Sequence, residues 1–479
     1  MPEGTGVNNG KRALSGRNTA PSLRFLKKLP RDGRTAALHA LLLTGAGLSA
    51  QEALAAALAD TQSGLPGRND ALSSQERHLC AELVYGCLRS EIRIAYLLGR
   101  VLPRPERLPL PLSHILVLAV YALLFQERVP DHAAVHGAVE QAERLFGRSL
   151  ARVANGALRS IQRFGAAVNT PEFYTEDTGR GTFGAWDGLC RYYSLPRWFA
   201  DLWLAAYGEE SALSLMRRSF ARPWTGLRIN ARHALAPDLR AALLALAENG
   251  RGQAVGLWGM AFAPGALPTE VLGNSLEHWR RGGALSFQSA GSQLVLEELG
   301  LTCWQGKVWD ACAGFGGKSA ALLERGVDVA LSTDRAWSRL RHLPGLCRDL
   351  RLPAPAVCLA DATAPPLSRW DGHILLDAPC SGLGVLARRP DIRKASRRSP
   401  ADLEQLADLQ SRLLDRLGGL LQPGRELAYI TCTLNPAENE QAVARLLRAR
   451  PELALLRQWQ TPHAHPWLEG MYGAVLRRA

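Results

Sequence analysis

From about residue 284 onward, short apolar runs alternate with amphipathic stretches, and this pattern restricts the fold more than any single motif does. The β-type runs are Val308 to Cys312, Asp328 to Thr333, Ala356 to Ala360, His373 to Leu376 and Leu427 to Thr431. Between them the spacing predicts helices over 318–325, 402–421 and 436–449. Strands that alternate with helices predict a doubly wound α/β sheet, because parallel strands need crossovers and helices supply them. Ligands of such sheets bind outside the carboxyl ends of the strands.

Those ends carry the residues with chemistry. The first run leads into Asp310-Ala311-Cys312-Ala313-Gly314-Phe315-Gly316-Gly317-Lys318-Ser319. The next two end at Asp334 and Asp361, the fourth at Asp377 in Asp377-Ala378-Pro379-Cys380-Ser381-Gly382, and the fifth at Cys432. One Asp at a strand end is ordinarily a turn or cap residue; four in succession are hard to ascribe to capping alone. Gly317-Lys318-Ser319 looks like a phosphate loop, but a Walker loop needs Gly where Cys312 stands, and the dinucleotide fingerprint fails after Gly314 and Gly316. A nucleoside triphosphate and NAD are therefore disfavoured. What remains is a glycine turn at a helix start, where a ligand can approach the backbone. Asp334 can take ribose hydroxyls and Asp361 an adenine amino group. An adenosine ligand without phosphates suggests S-adenosylmethionine.

The two strand-tip cysteines narrow the reaction. Carbon 5 of a pyrimidine is a weak nucleophile, and a thiolate adding to carbon 6 makes it a stronger one. Asn435-Pro436-Ala437-Glu438 reads as a helix start, with an Asn cap, Pro at the first position and Glu three after the cap. A cysteine just ahead of a helix has its thiol pKa lowered. Cys80, Cys87, Cys190, Cys303, Cys347 and Cys358 read as inert thiols.

These residues resemble the Sun-type RNA cytosine-5 methyltransferases. Asp377 to Gly382, and Thr431-Cys432-Thr433 followed by Asn435-Pro-Ala-Glu-Asn-Glu440, are similar to the family's two cysteine motifs. Asp310 to Ser319 resembles its first cofactor motif, with Gly314-Phe315 where the family usually has Ala-Pro. Ser286 to Leu294, Pro223 to Asn230 and Glu469 to Arg478 resemble further family segments; Glu469 and Met471 replace the usual Asp and Phe. Leu79 to Arg89, Val129 to Val135 and Val153 to Arg159 resemble a NusB-like domain, and the pairing points to the bacterial branch that methylates 16S ribosomal RNA. The resemblance implies Cys432 as nucleophile and Cys380 as the cysteine that assists product release. It also implies cofactor contacts from Cys312, Ala313, Gly314, Phe315, Gly316, Gly317 and Lys318, and from Asp334, Asp361 and Asp377, with Asp377 also hydrogen-bonding the cytosine.

Upstream, residues from about 29 to 165 carry Ala and Leu at helical spacing, including Leu79, Leu83, Val84, Cys87 and Leu88, with Asp131 as a helix cap. The expected division is a basic disordered arm (1–28), a NusB-like helical RNA-binding domain (29–165), a linker (166–185), an α+β substrate-side subdomain (186–283) and an S-adenosylmethionine-dependent methyltransferase catalytic domain (284–479). The fold class is thus multidomain: all-α, then α+β, then α/β Rossmann-like. For 479 residues, two to four domains are expected.

The formal net charge of +13 suits a polyanion such as RNA. Arg388, Arg389, Arg393 and Lys394, then Arg397-Arg398, follow the Cys380 loop and are expected to grip RNA backbone; Arg228, Arg280 and Arg281 are weaker candidates. His463 and His465 alone are poor evidence for a metal, and no metal is expected. No apolar run reaches the roughly 18 residues of a membrane span, so no membrane association is expected. Free thiols fit a cytoplasmic protein, and a monomer is expected. A non-catalytic RNA-binding factor of antitermination type is the alternative, with Phe315 its one supporting feature.

Overall fold

The computed structural model describes residues 23–60, 72–127, 129–175, 184–247, 250–394 and 398–479. Most of the expected basic arm, the middle of the expected linker and Arg397 lie outside the described residues. The chain divides into two compact units: residues 1–84 with 104–162, and residues 85–103 with 163–479.

The described part of the first unit is helical, with Gly33–Gly45, Ala50–Asp60, Leu110–Phe125 and Asp131–Phe146 as principal elements. Asp32 caps the first of these by accepting from the Thr35 amide at 2.8 Å, which satisfies one of the donors a helix start leaves open. Leu38, Leu41, Ile115, Leu116 and Val135 are buried from these helices. Asp131 is not the cap expected of it. It is the first helical residue, with Pro130 before it fixing the entry.

Residues 85–103 lie within the expected helical domain, and in the structure they group with the second compact unit. Arg93, buried on the helix Glu91–Val101, donates to the Tyr174 hydroxyl at 2.9 Å and the Val168 carbonyl at 2.6 Å. Those acceptors lie on the short turns Gly165–Asn169 and Glu172–Tyr174, where Phe173 and Tyr174 are buried. The stretch 166–175 is therefore packed structure, not the linker expected of it.

Further along, β1 (Thr225–Ile229), β2 (Gly252–Val255), β3 (Gly259–Phe262) and, past a small ribbon of β4 (Glu270–Val271) and β5 (Asn274–Ser275), β6 (Leu285–Phe287) appear. They form an antiparallel sheet in the order β2-β3-β1-β6. The larger sheet holds β7 (Lys307–Asp310), β8 (Asp328–Asp334), β9 (Ala356–Leu359), β10 (His373–Asp377), β11 (Glu426–Thr431), β12 (Leu453–Gln460) and β13 (Tyr472–Arg478). Its order is β12-β13-β11-β10-β7-β8-β9; β11, β10, β7, β8 and β9 run parallel, and β13 and β12 close one edge antiparallel.

The side-chain period of two is visible across this sheet. Val308, Leu375, Ala428 and Ile430 join Leu322, Leu323 and Leu343 on one face. Trp309, Ile374, Leu376, Leu427 and Tyr429 join Leu413, Leu414, Leu417 and Leu446 on the other. On that second face the helix Pro400–Leu420 starts with a capping box, Ser399 and Asp402 satisfying each other's backbone amides. Strand order reverses between β7 and β10, which leaves a crevice at their carboxyl ends. Among the described residues, no helix is long and apolar enough to cross a membrane.

Candidate active site

At that crevice lies a cleft of about 620 Å³, lined by the β7 loop and by residues at the ends of β8, β9, β10 and β11. The β7 loop turns on two glycines in the left-handed region, Gly314 at φ +56° and Gly316 at φ +82°. A Cβ on Gly316 would come 2.3 Å from Leu343 Cδ1, while one on Gly314 would meet open space. The loop is held from below: the Ala313 amide donates to the Thr333 carbonyl at 2.9 Å, and the Gly314 amide to Asp334 Oδ2 at 2.8 Å.

Three of the four strand-end aspartates line the cleft: Asp334, Asp361 and Asp377. Asp334 Oδ1 also accepts from the Ala336 amide and from Arg339. Asp361 accepts from the Thr363 amide and hydroxyl, which hold its carboxyl below the usual range. Asp310 does not face the cleft. It is buried beneath the loop, with Oδ2 accepting from Ser319 at 2.6 Å and Oδ1 without a partner. Burial, first of all, pushes its carboxyl up to about 7.

Cys312, Ala313, Gly314, Phe315, Gly317 and Lys318 line the cleft, whereas Gly316 shapes the turn from a buried position. Phe315 is 54 % exposed, its ring 5.7 Å from that of His342. Lys318 does more than line a loop. Its Nζ lies 2.5 Å from Asp377 Oδ2, across the crevice from β7 to β10. Burial alone would lower its pKa, but the Asp377 carboxylate outweighs that and raises it.

Cys380 and Cys432 follow the neighbouring parallel strands β10 and β11, and both line the cleft. Their sulfurs are 3.2 Å apart, and the Cys432 amide donates to Cys380 Sγ at 3.3 Å. The hydrogen bond from the Cys380 thiol holds the Cys432 thiol below its ordinary value, with Lys318 adding to this against burial. The same bond pushes Cys380 well up. By contrast, burial pushes Cys80 and Cys190 up to about 12. The helix expected right after Cys432 is not what lowers its thiol: Pro436–Glu438 is one 3-10 turn, and the α-helix begins only at Glu440. Asn435 does cap that turn, accepting from the Ala437 amide.

The basic run after Cys380 is largely structural, which corrects its expected role. Arg393 is 4 % exposed and donates to the carbonyls of Tyr193, Ser194 and Ser219. Arg388 is tied to Glu469 and to the Trp224 carbonyl. Lys394 pairs with Glu91 at 3.6 Å. Arg389 is the member of the four that lines the cleft and stays exposed, with its Nε and Nη2 donating to the Asp391 carboxylate at 3.2 Å. Arg228 is buried in an ion pair with Glu324, and Arg280 and Arg281 both pair with Glu277. Charge counting could not separate these roles, because an arginine whose hydrogen bonds go to carbonyls reads the same in sequence as one facing solvent.

In the sequence Glu438 stands as a residue of a helix start and of the second cysteine motif, with no role given to its side chain. It is fully buried between the two cysteine loops and accepts from the Ser381 amide, the Ser381 hydroxyl, Asn435 and Gln410. Among the described residues, no three His, Cys, Asp or Glu side chains gather as a metal site would need.

Comparison with known proteins adds to this geometry. The family profile described as 16S rRNA methyltransferase RsmB/F matches residues 304–469, and the NusB family profile matches residues 31–163. The chain is 31 % identical over 394 residues to the probable ribosomal RNA small subunit methyltransferase B of Bacillus subtilis (strain 168), covering 80 % of this chain and 83 % of that one. It is 32 % identical to the ribosomal RNA small subunit methyltransferase B of Vibrio cholerae (86 % and 92 % covered) and of Pseudomonas putida (90 % and 97 %). Among solved structures, that of PH0851 matches with a TM-score of 0.69 at 18 % identity, over 94 % of this chain and 99 % of that one. A methyltransferase homologue from Pyrococcus horikoshii matches at 0.50 and 21 % identity, over 62 % of this chain and all of that one.

Proposed function

Because the chain belongs to the family of S-adenosylmethionine-dependent ribosomal RNA small subunit methyltransferases B, we propose that it methylates carbon 5 of a cytosine in 16S ribosomal RNA through a covalent bond from Cys432 to carbon 6. The observation that carries this reading is the pair of thiols 3.2 Å apart on adjacent parallel strand ends, one held below its ordinary pKa and the other above. Groups that split their pKa values in this way divide the two halves of an acid–base task.

The cleft suits the cofactor. Gly314 leaves room over the loop backbone, and Asp334 and Asp361 present carboxylates at the ends of β8 and just after β9, where hydroxyl and amino donors of an adenosine can reach them. When bound, S-adenosylmethionine supplies an electrophilic methyl group to carbon 5. The rest falls to side chains of this chain. The Cys432 thiolate adds to carbon 6, and carbon 5 becomes nucleophilic. After methylation, the carbon 5 proton passes to water, its electron pair restores the 5,6 double bond, and the carbon 6–sulfur bond breaks to return Cys432 as thiolate, with Cys380 assisting this release. Asp377, held by Lys318, sits beside the sulfurs with an oxygen to hydrogen-bond the base. A cytosine inside a duplex hides carbon 6, so the target must be unpaired or turned out of its stack. Arg389 is positioned to meet the phosphates of such a strand.

The test is tritium transfer from labelled S-adenosylmethionine to small-subunit RNA. Cys432→Ala is expected to abolish transfer, and Cys380→Ala to accumulate an RNA–protein adduct that survives a denaturing gel. Undiminished transfer by Cys432→Ala would overturn the assignment of the nucleophile, and absence of an adduct with Cys380→Ala would overturn the release role.

A further inference from the structure

Among the described residues, Glu438 is the acidic side chain to which both cysteine loops are tied. Its Oε2 accepts from the Ser381 amide at 2.8 Å and from Gln410 Nε2 at 3.0 Å. Its Oε1 accepts from the Ser381 hydroxyl at 2.5 Å and from Asn435 Nδ2 at 3.0 Å. The Thr433 hydroxyl lies 2.7 Å from the Ser381 hydroxyl and 3.5 Å from Oε1. A hydroxyl carries one proton, so with Ser381 donating to Glu438, Thr433 donates to Ser381. Ser381 directly follows Cys380 and Thr433 directly follows Cys432. One carboxylate thus fixes the residue next to each sulfur.

The neighbouring groups extend the clamp. The Glu438 carbonyl accepts from the Tyr429 hydroxyl at 2.6 Å. Asn439 accepts from the Thr431 hydroxyl at 2.6 Å and donates to the Thr433 carbonyl at 3.0 Å. Gln410, on the opposite helix, also donates to the Pro379 carbonyl at 2.9 Å. The Ser381 amide and hydroxyl, Gln410 Nε2 and Asn435 Nδ2 all donate to the Glu438 carboxylate. A Gln would turn its own N–H groups toward donors, and a buried polar clash of this kind displaces one of the loops.

We propose that Glu438 is a positioning residue for methyl transfer, setting the separation between the Cys380 and Cys432 sulfurs by anchoring both loops from beneath. This rests on the reading of Cys432 as nucleophile. Glu438 does not line the cleft and makes no hydrogen bond to either sulfur. Its charge pushes both thiols up alike, so it is the gap between them, not their absolute position, that reports the anchoring through Ser381 and Thr433. The thiol pair works only while its own hydrogen bond holds, and displacement by about an ångström is enough to cost on the order of 100-fold in rate.

The experiment compares the full-length parent, Glu438→Gln, Ser381→Ala and Cys432→Ala. Each is measured for S-adenosylmethionine binding by calorimetry, for single-turnover methyl transfer to small-subunit RNA, and for iodoacetamide labelling of Cys380 and Cys432 against pH by peptide mass spectrometry. In the parent, Cys432 is expected to label at lower pH than Cys380. Glu438→Gln is expected to bind the cofactor as the parent does, to lose on the order of 100-fold in single-turnover rate, and to bring the two labelling midpoints together. Ser381→Ala, which removes the hydroxyl relay and keeps the amide, is expected to move both readouts the same way by less. A merely structural role would not close the gap between the midpoints in a folded protein. Parental rate and parental midpoints in Glu438→Gln would overturn the proposal. Should that variant fail to bind cofactor, Ser381→Ala decides: unchanged midpoints overturn the proposal. Active Cys432→Ala would instead sink the nucleophile reading, and the labelling profiles would still judge Glu438.

Discussion

Lys318 Nζ and Asp377 Oδ2, 2.5 Å apart, place two opposite charges beside Cys432. The ammonium favours the thiolate and the carboxylate opposes it. Replacing Lys318 by Met removes the favourable charge and leaves Asp377 unpaired, and both changes push the Cys432 thiol up. The expected outcome is a labelling profile for Cys432 displaced to higher pH and slower labelling at neutral pH, read by iodoacetamide trapping. Asp377→Asn is expected to displace it to lower pH. This pairing was not legible in the sequence, because Lys318 and Asp377 are 59 residues apart and meet only where strand order reverses. The cysteines and aspartates themselves were legible, since they stand directly at the ends of apolar runs. A strand-end position says nothing, however, of whether a side chain faces the ligand or the layer below it, and Asp310 faces the layer below.

Among the elements, the loop from β7 into the helix Gly317–Glu324 is the most exacting. Gly316 holds a left-handed conformation that costs an ordinary residue about 1–2 kcal/mol, and its neighbour Leu343 is buried in the core with little room to withdraw. Gly316→Ala is therefore expected to displace the loop and weaken S-adenosylmethionine binding about tenfold, the equivalent of that strain, by calorimetry. The parallel strands and their helices were readable from apolar runs to within a residue or two at most ends. β12 was not. Its apolar run Leu453-Ala454-Leu455-Leu456 is short and closely follows a helix, and Ala454 to Gln458 are all exposed on this edge strand, so no alternation of buried and exposed residues marks it. The turn that follows Cys432 was misread in length, because Asn435-Pro436-Ala437-Glu438 satisfies the start rules of a 3-10 turn and an α-helix alike, and what stops it is the non-helical Asn439 at φ −112°, ψ −111°.

At the scale of the second unit, the antiparallel sheet and the catalytic sheet are locked together by Arg228 of β1. Its guanidinium holds both oxygens of Glu324, at 2.5 and 3.0 Å, and also reaches Gln288 and the Gly317 carbonyl. Arg228→Met leaves a buried carboxylate without its partner, and losses of ~3–5 kcal/mol are typical of that change. The expected outcome is a lower chemical-denaturation midpoint for Arg228→Met, largely recovered when Glu324→Leu is added. An RNA-binding role for Arg228 would instead leave stability unchanged and reduce the salt dependence of binding. Apolar periodicity foretold a helical unit ahead of an α/β one, but not that residues 85–103 group with the second, because the partners they meet there, Phe173 and Tyr174, lie in a stretch with no periodicity. The sulfur pair, finally, has a consequence for every preparation of this protein. Two thiols 3.2 Å apart, one of them biased toward thiolate, stand two electrons away from a disulfide. A mild oxidant such as peroxide would take those electrons, release water and remove both sulfurs from use in one event. A thiol reductant in purification and assay keeps both sulfurs reduced, as the proposed reaction requires.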